Sequence, residues 1–242
     1  MSKHKILFLH GWLFDSRIWF GLDRIISEGN QSVLVDLPGY GKNKENNSTL
    51  VSYCRKIFSS QLSPTVIISW SFGGTLALLG LSRYCPNIEK IVIINSHPLL
   101  IGNNGLDDSI NLKSIENIKY NLVSNREQTL KKFFFECIKG SPHEMNDYKL
   151  LIKSFELSTL PNNDTLIKGL DNISNINSHE ALRDTQKEVL FISSKKDSLL
   201  GERSYSEFKN KKNIKFSFLK NAPHIPFISF KKEIIDVVNK FL

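Results

Sequence analysis

The chain has 242 residues, 40% of them hydrophobic, three cysteines and a formal net charge of +8. That length suits one α/β domain carrying an insertion, and the apolar share can fill a core. Widely spaced Cys54, Cys85 and Cys137, with no C-x-x-C, exclude a disulfide framework or a zinc site, and lysines scattered through an Asn- and Ile-rich background point away from nucleic-acid or membrane binding.

Lys5 to Leu9 reads as a short buried parallel strand. Its four apolar residues, Ile6 to Leu9, fall short of the roughly 7–15 of a signal-peptide core. No run approaches the ~20 apolar residues of a membrane span. A soluble, cytoplasmic protein is therefore expected, and separately a monomer. His10-Gly11-Trp12 follows the strand. Gly11 permits a sharp turn there, and the Trp12 N–H could face a developing oxyanion. Taken alone, this segment is an ordinary strand-to-loop turn.

Ser16 to Ile26 carries Ile18, Trp19, Leu22, Ile25 and Ile26 at helical spacing, with Ser16 as N-cap and Gly29 as stop. Ser32 to Val35 is the second strand, and Asp36-Leu37-Pro38-Gly39-Tyr40-Gly41 makes a tight turn. Asp36 is expected to bind local backbone there rather than act as a catalytic acid. Lys42 to Ser48 is a polar loop and Leu50 to Leu62 a helix.

Val66-Ile67-Ile68-Ser69-Trp70-Ser71-Phe72-Gly73-Gly74 reads as strand, sharp turn and helix. Such a turn strains its serine and pushes the Ser71 hydroxyl above the sheet. Gly73 lets the helix begin close to the strand, and the helix N-terminus offers free N–H groups beside the hydroxyl. Ser69 stands where the G-x-S-x-G pattern has its first glycine. The helix runs from Phe72 to Tyr84 and closes at Pro86, and Ile91 to Ile94 is the next strand. This alternation of strand and helix means a parallel sheet with right-handed crossovers, whose ligands bind at the carboxyl ends of the strands.

The alternation stops at residues 98–185. Gly102 to Gly105 reads as a flexible joint, followed by helical patterns at Leu112 to Val123, Glu127 to Ile138, Glu144 to Leu157 and near Asp164 to Leu170, with no clear strand. This is expected to be a helical cap over a core formed by residues 1–97 and 186–242. Strands return at Lys187 to Ser193 and Ile214 to Leu219, and Phe230 to Leu242 closes the chain as a helix.

A serine nucleophile needs a base, and the base needs a carboxylate to fix its tautomer. Ser71, Asp197 and His224 each lie just past a predicted strand, in the chain order Ser, acid, His. Of the six histidines only His224 sits between the last strand and the last helix; His10 is expected to be structural. Asp197 has Lys196 as a competing partner, and Asp184 precedes its strand, at the wrong end of the sheet. H-E-x-x-H and Gly-rich phosphate loops are absent, so no metal or cofactor is expected.

These pieces resemble the α/β-hydrolase superfamily. Trp12, the Trp70-Ser71-Phe72-Gly73-Gly74 elbow and His224-Ile225-Pro226-Phe227-Ile228-Ser229 resemble, within it, the pimeloyl-[acyl-carrier protein] methyl ester esterases of biotin biosynthesis. The resemblance implies an α/β-hydrolase fold, a mostly parallel sheet with helices on both faces and an inserted cap. It implies that Ser71 attacks the ester, that the N–H groups of Trp12 and Phe72 hold the oxyanion, and that acyl carrier protein is the partner. Lys131 to Cys137 is similar to the lid helix of that family, so Phe133, Phe134 and Cys137 would line the acyl path and Lys132 would meet the carrier protein. The phenylalanines read equally well as cap core, and each lysine as a solvated face. Ser69, and the short segment before the first strand, depart from the family pattern. The same residues leave open a general carboxylesterase, a thioesterase or a non-catalytic binding protein of this fold.

Overall fold

The computed structural model describes residues 4–44, 48–99, 112–200 and 205–242. The expected joint at Gly102 to Gly105 lies outside the described residues, as does the middle of the polar loop, residues 45–47.

In chain order the elements are β1 (Lys5–Leu9), α1 (Leu22–Ile26), β2 (Gln31–Val35), α2 (Leu50–Ser59), β3 (Thr65–Trp70), α3 (Phe72–Ala77) and β4 (Ile88–Ile94). Then come α4 (Leu112–Ser124), α5 (Arg126–Ile138), α6 (Glu144–Ser154), α7 (Asn163–Asn175) and α8 (His179–Asp184). The chain closes with β5 (Glu188–Ser194), β6 (Ile214–Leu219), α9 (Pro226–Ser229) and α10 (Lys231–Phe241). The six strands form one sheet in the order β2-β1-β3-β4-β5-β6, and every pair is parallel. Central strands are largely apolar because both faces are covered; all of β3 is buried. The edge strands expose Leu34 on β2 and Phe218 on β6.

Right-handed crossovers dictate where the helices go. The step from β1 to β2 runs one way and the steps from β2 through β4 run the other, so α1 falls on one face and α2 and α3 on the opposite one. Accordingly α1 packs with α10, while α2 packs with α3. The direction reverses between β1 and β3, which opens a crevice at their carboxyl ends.

Several expected helices are shorter or broken. The segment 16–26 splits into a 3₁₀ turn, Ser16–Trp19, and α1, because Phe20 (φ 44°) and Gly21 (φ 75°) are left-handed. Trp19, just before the break, is buried on Phe8 and Phe227. The cap of that turn is Asp15 rather than Ser16: its carboxylate accepts the Arg17 N–H at 3.0 Å, while the Ser16 N–H goes to Asp36. The helix expected to Tyr84 ends as α at Ala77 and continues as a 3₁₀ turn to Leu81. Between β4 and β5, α7 runs past its expected end and α8 was not foreseen. Leu99 and Asn177 form an isolated antiparallel bridge in a stretch read as strand-free.

Candidate active site

Ser71 follows β3 and caps α3 with φ 54° and ψ −129°, a conformation that costs a non-glycine residue about 1–3 kcal/mol. Neighbouring hydrogen bonds hold it: the Ser71 N–H donates to Ile94 O at 2.9 Å, and the Gly74 N–H to Ser71 O at 2.8 Å. Ser69, in place of glycine, donates its buried hydroxyl to Val92 O on β4 at 2.8 Å, so the departure has a partner within the sheet.

β1 and β3 pair with Leu9 opposite Ser69, which brings the loop after β1 beside the serine. The approach is close enough that a Cβ on Gly11 would stand 3.0 Å from Ser71 Cβ and 2.9 Å from Trp70 Cζ3. Among the described residues the Trp12 N–H meets no acceptor. The Phe72 N–H, at the first turn of α3, has none within its helix. Phe72 directly follows Ser71 at the start of α3, and Trp12 directly follows Gly11, the residue that approaches Ser71. The Trp12 indole is fixed by donation to Leu166 O at 2.8 Å.

His224 and Asp197 complete a hydrogen-bonded chain. His224 Nε2 is 2.9 Å from Ser71 Oγ, and Nδ1 is 2.7 Å from Asp197 Oδ2. His224 is 1% exposed and Asp197 5%, whereas Ser71 is only half-buried and can meet a substrate. The other Asp197 oxygen accepts from the N–H groups of Leu199 (2.9 Å) and Leu200 (3.0 Å). Among the described residues Lys196 makes no ion pair with it. Asp184 pairs with Arg183 at the surface, before β5.

Cys137 is fully buried, and burial, with the Asp197 charge adding to it, pushes its thiol well up, so it stays protonated. Phe133 packs edge-on against Trp12, with centroids 4.8 Å apart. Phe134 is fully buried against Phe14. Lys132 is exposed and, with Lys131, Phe135, Met145 and Tyr148, lines a surface groove of about 670 Å³. No group of His, Cys, Asp or Glu side chains is arranged to hold a metal among the described residues, and no described helix is long and apolar enough to cross a membrane.

Asp36 accepts from Lys42 N in its own turn, as expected, and also from Ser16 N in the loop after β1. His10 is fully buried; its Nε2 accepts the Leu37 N–H at 3.0 Å, so Nδ1 carries the proton and donates to Gly11 O at 2.8 Å. Burial holds its pKa below the usual imidazole value, against the Gly11 bond and the Asp36 and Asp15 charges. The unfolded chain then takes a proton first, so the stability His10 contributes is full above about pH 6.5 and is lost as pH falls towards the lower folded value. The urea midpoint of the wild type should fall below that pH more steeply than that of His10→Gln, whose carbonyl can still accept from Leu37. Parallel curves for the two proteins would refute this.

One residue of the site had no signal beyond being polar at a strand end. Asn95 (φ 44°) follows β4 and is buried. Its Oδ1 accepts the Ser194 N–H at 2.7 Å, and its Nδ2 lies 2.8 Å from Ser194 Oγ, 3.0 Å from Pro223 O and 2.9 Å from His224 O. It ties the end of β5, just ahead of Asp197, to the loop of His224. Trp70 assists: its Nε1 donates to the same His224 O at 2.8 Å.

Comparison with known proteins agrees with this architecture. The family model described as alpha/beta hydrolase family matches residues 6–237. The pimeloyl-[acyl-carrier protein] methyl ester esterase of Wigglesworthia glossinidia brevipalpis is 27% identical over 243 residues, covering 98% of this chain and 93% of the relative. The protein of the same name from Shewanella woodyi is 26% identical over 245 residues, covering 98% and 94%. An esterase structure from Exiguobacterium antarcticum has the same fold, with a TM-score of 0.86 at 16% identity over 99% of this chain and 92% of that one. With a wholly parallel six-stranded sheet, a strained serine at its switch point and a family match over nearly its whole length, the chain belongs to the alpha/beta hydrolase family.

Proposed function

We propose that this hydrolase is a serine carboxylesterase acting on the methyl ester of pimeloyl-[acyl-carrier protein], releasing the pimeloyl carboxylate for biotin synthesis. The observation that carries the reading is the unbroken chain Asp197–His224–Ser71, ending at a half-buried hydroxyl beside two N–H groups. His224 Nε2 takes the proton as Ser71 Oγ bonds to the ester carbon, and Asp197 stabilises the imidazolium. The N–H groups of Trp12 and Phe72 take the charge that develops on the carbonyl oxygen. His224 then protonates departing methanol. A water, deprotonated by the same imidazole, cleaves the acyl-serine.

The substrate is supported by the names of the relatives. It is also supported by the groove on α5 and α6, where Lys132 stands beside Phe135, Met145 and Tyr148 and suits an acidic carrier with an apolar contact, while Lys131 in the same groove is paired with Glu127. Residues 98–185 act as the cap in this reading. They reach the core through Trp12 Nε1 to Leu166 O, Ile225 N to Cys137 O and Arg17 Nη1 to Ser154 O.

A fluorophosphonate probe should label the wild type and not Ser71→Ala, and Ser71→Ala should lose about 10⁶-fold in kcat. The wild type should cleave the carrier-bound pimeloyl methyl ester and restore growth without biotin to a strain lacking that esterase. Labelling together with hydrolysis of short p-nitrophenyl esters, but no turnover of the carrier-bound ester, would leave a general esterase.

A further inference from the structure

The loop that holds His224 is gripped from two sides. Core residues Trp70 and Asn95 hold its carbonyl. The other grip comes from helices α5 and α6. At the last turn of α5, Cys137 O accepts the Ile225 N–H at 2.9 Å. Four residues on, at the end of α9, the Ser229 hydroxyl donates to Asp147 Oδ2 on α6 at 2.5 Å. The Ser141 hydroxyl, in the turn joining α5 to α6, donates to the same oxygen at 2.5 Å and lies 3.1 Å from Ser229 Oγ.

Asp147 is 6% exposed, and a buried carboxylate is expensive unless its oxygens are bonded. Both hydroxyls bond one of those oxygens, Oδ2, and one of them belongs to the His224 loop. Ser141 is itself fixed, because it donates its N–H to Ile138 O and accepts from His143 N. Between the two grips lies α9, begun by Pro226 and pinned by Phe227 between Trp19 and Trp70. This single turn joins the two grips, with Ser229 at its end and His224 just before its start.

We propose that Asp147 is a positioning residue: through Ser229 it locks the His224 loop to the α5–α6 pair, so the imidazole stays in reach of Ser71 only while those helices are seated. The inference rests on the triad reading above. A displacement of the base by about 1 Å is enough to cost on the order of 100-fold. Ser229→Ala and Asp147→Leu should each lower kcat on a short p-nitrophenyl ester by about 10- to 100-fold, with KM within twofold. The rate of fluorophosphonate labelling at Ser71 should fall by the same factor. Asp147→Asn keeps a carbonyl oxygen able to accept both hydroxyls, and should stay within about threefold of the wild type. Unchanged labelling in a natively melting Ser229→Ala overturns the proposal, even if Asp147→Leu fails to fold. A rise in KM at constant kcat also overturns it, by moving the seam to substrate binding. If the wild type itself is not labelled at Ser71, the triad reading falls first, which is a different result.

Discussion

Asp197→Asn should lower kcat for ester hydrolysis by about 10⁴-fold while leaving the melting temperature nearly unchanged. The substitution keeps the local fold because the amide carbonyl can still accept from Leu199 N and Leu200 N, as Oδ1 does now. The amide nitrogen then stands where Oδ2 is, 2.7 Å from His224 Nδ1, and it can only donate. Nδ1 must become the acceptor, which moves the imidazole proton to Nε2. That proton points at Ser71 Oγ, and a ring already protonated there cannot take the serine proton. The loss corresponds to about 5.4 kcal/mol of barrier, from the wrong tautomer together with the missing charge that stabilises the imidazolium. Asp197→Ala would be a poorer test, since it strands two backbone N–H groups and the ring N–H in a buried site. Steady-state rates on a p-nitrophenyl ester, with a melt on the same sample, decide the matter. A loss below tenfold with a native melt would remove Asp197 from the proposed triad.

The parts of the site that could be read from the chain are those encoded locally. Ser71 and Asp197 stand just past apolar runs of the β3 and β5 type, and His224 stands a few residues beyond β6, so strand pattern alone put all three at one rim. Gly73 signals close approach of strand and helix, whereas Gly11 reads as a turn residue and its close approach to Ser71 shows only in the fold. Asn95 is different. Its partners are about a hundred residues or more away, at Ser194 and His224, and they meet it only because β4 and β5 are neighbours. Asp147 likewise reads as one more polar residue on an amphipathic helix until Ser229 is brought to it. The break at Phe20 and Gly21 was hidden for a related reason: the apolar spacing of residues 18–26 fits a helix, but burying Trp19 on Phe8 overrides that local preference. Phe133 and Phe134 are adjacent in sequence and both reach Phe14, but Phe133 also meets Trp12 while Phe134 meets Phe155, a distinction that α5 periodicity only partly conveys.

Gly73→Ala should cost about 3 kcal/mol or more of stability and lower Tm by about 6–12 °C, with ester hydrolysis lost alongside. Helix propensity argues the other way, since alanine at an interior position is favoured over glycine by about 1 kcal/mol. Sterics win because a Cβ there would lie 2.3 Å from His10 O and 2.7 Å from Leu9 O. Both are backbone atoms at the end of β1, a strand paired on both sides, so they cannot swing away as a flexible side chain would. The start of α3 has to lift instead, and that helix start carries Ser71 and the Phe72 N–H away from Trp12. Gly29→Ala is the matched control: Gly29 has φ 80° but open space around it, so only the left-handed backbone cost of about 1–2 kcal/mol applies, and activity should persist. Equal melting temperatures for Gly73→Ala and the wild type would mean that β1 and α3 approach less closely than the described contacts require. The proposed oxyanion pair of Trp12 and Phe72 would then lose its geometric basis.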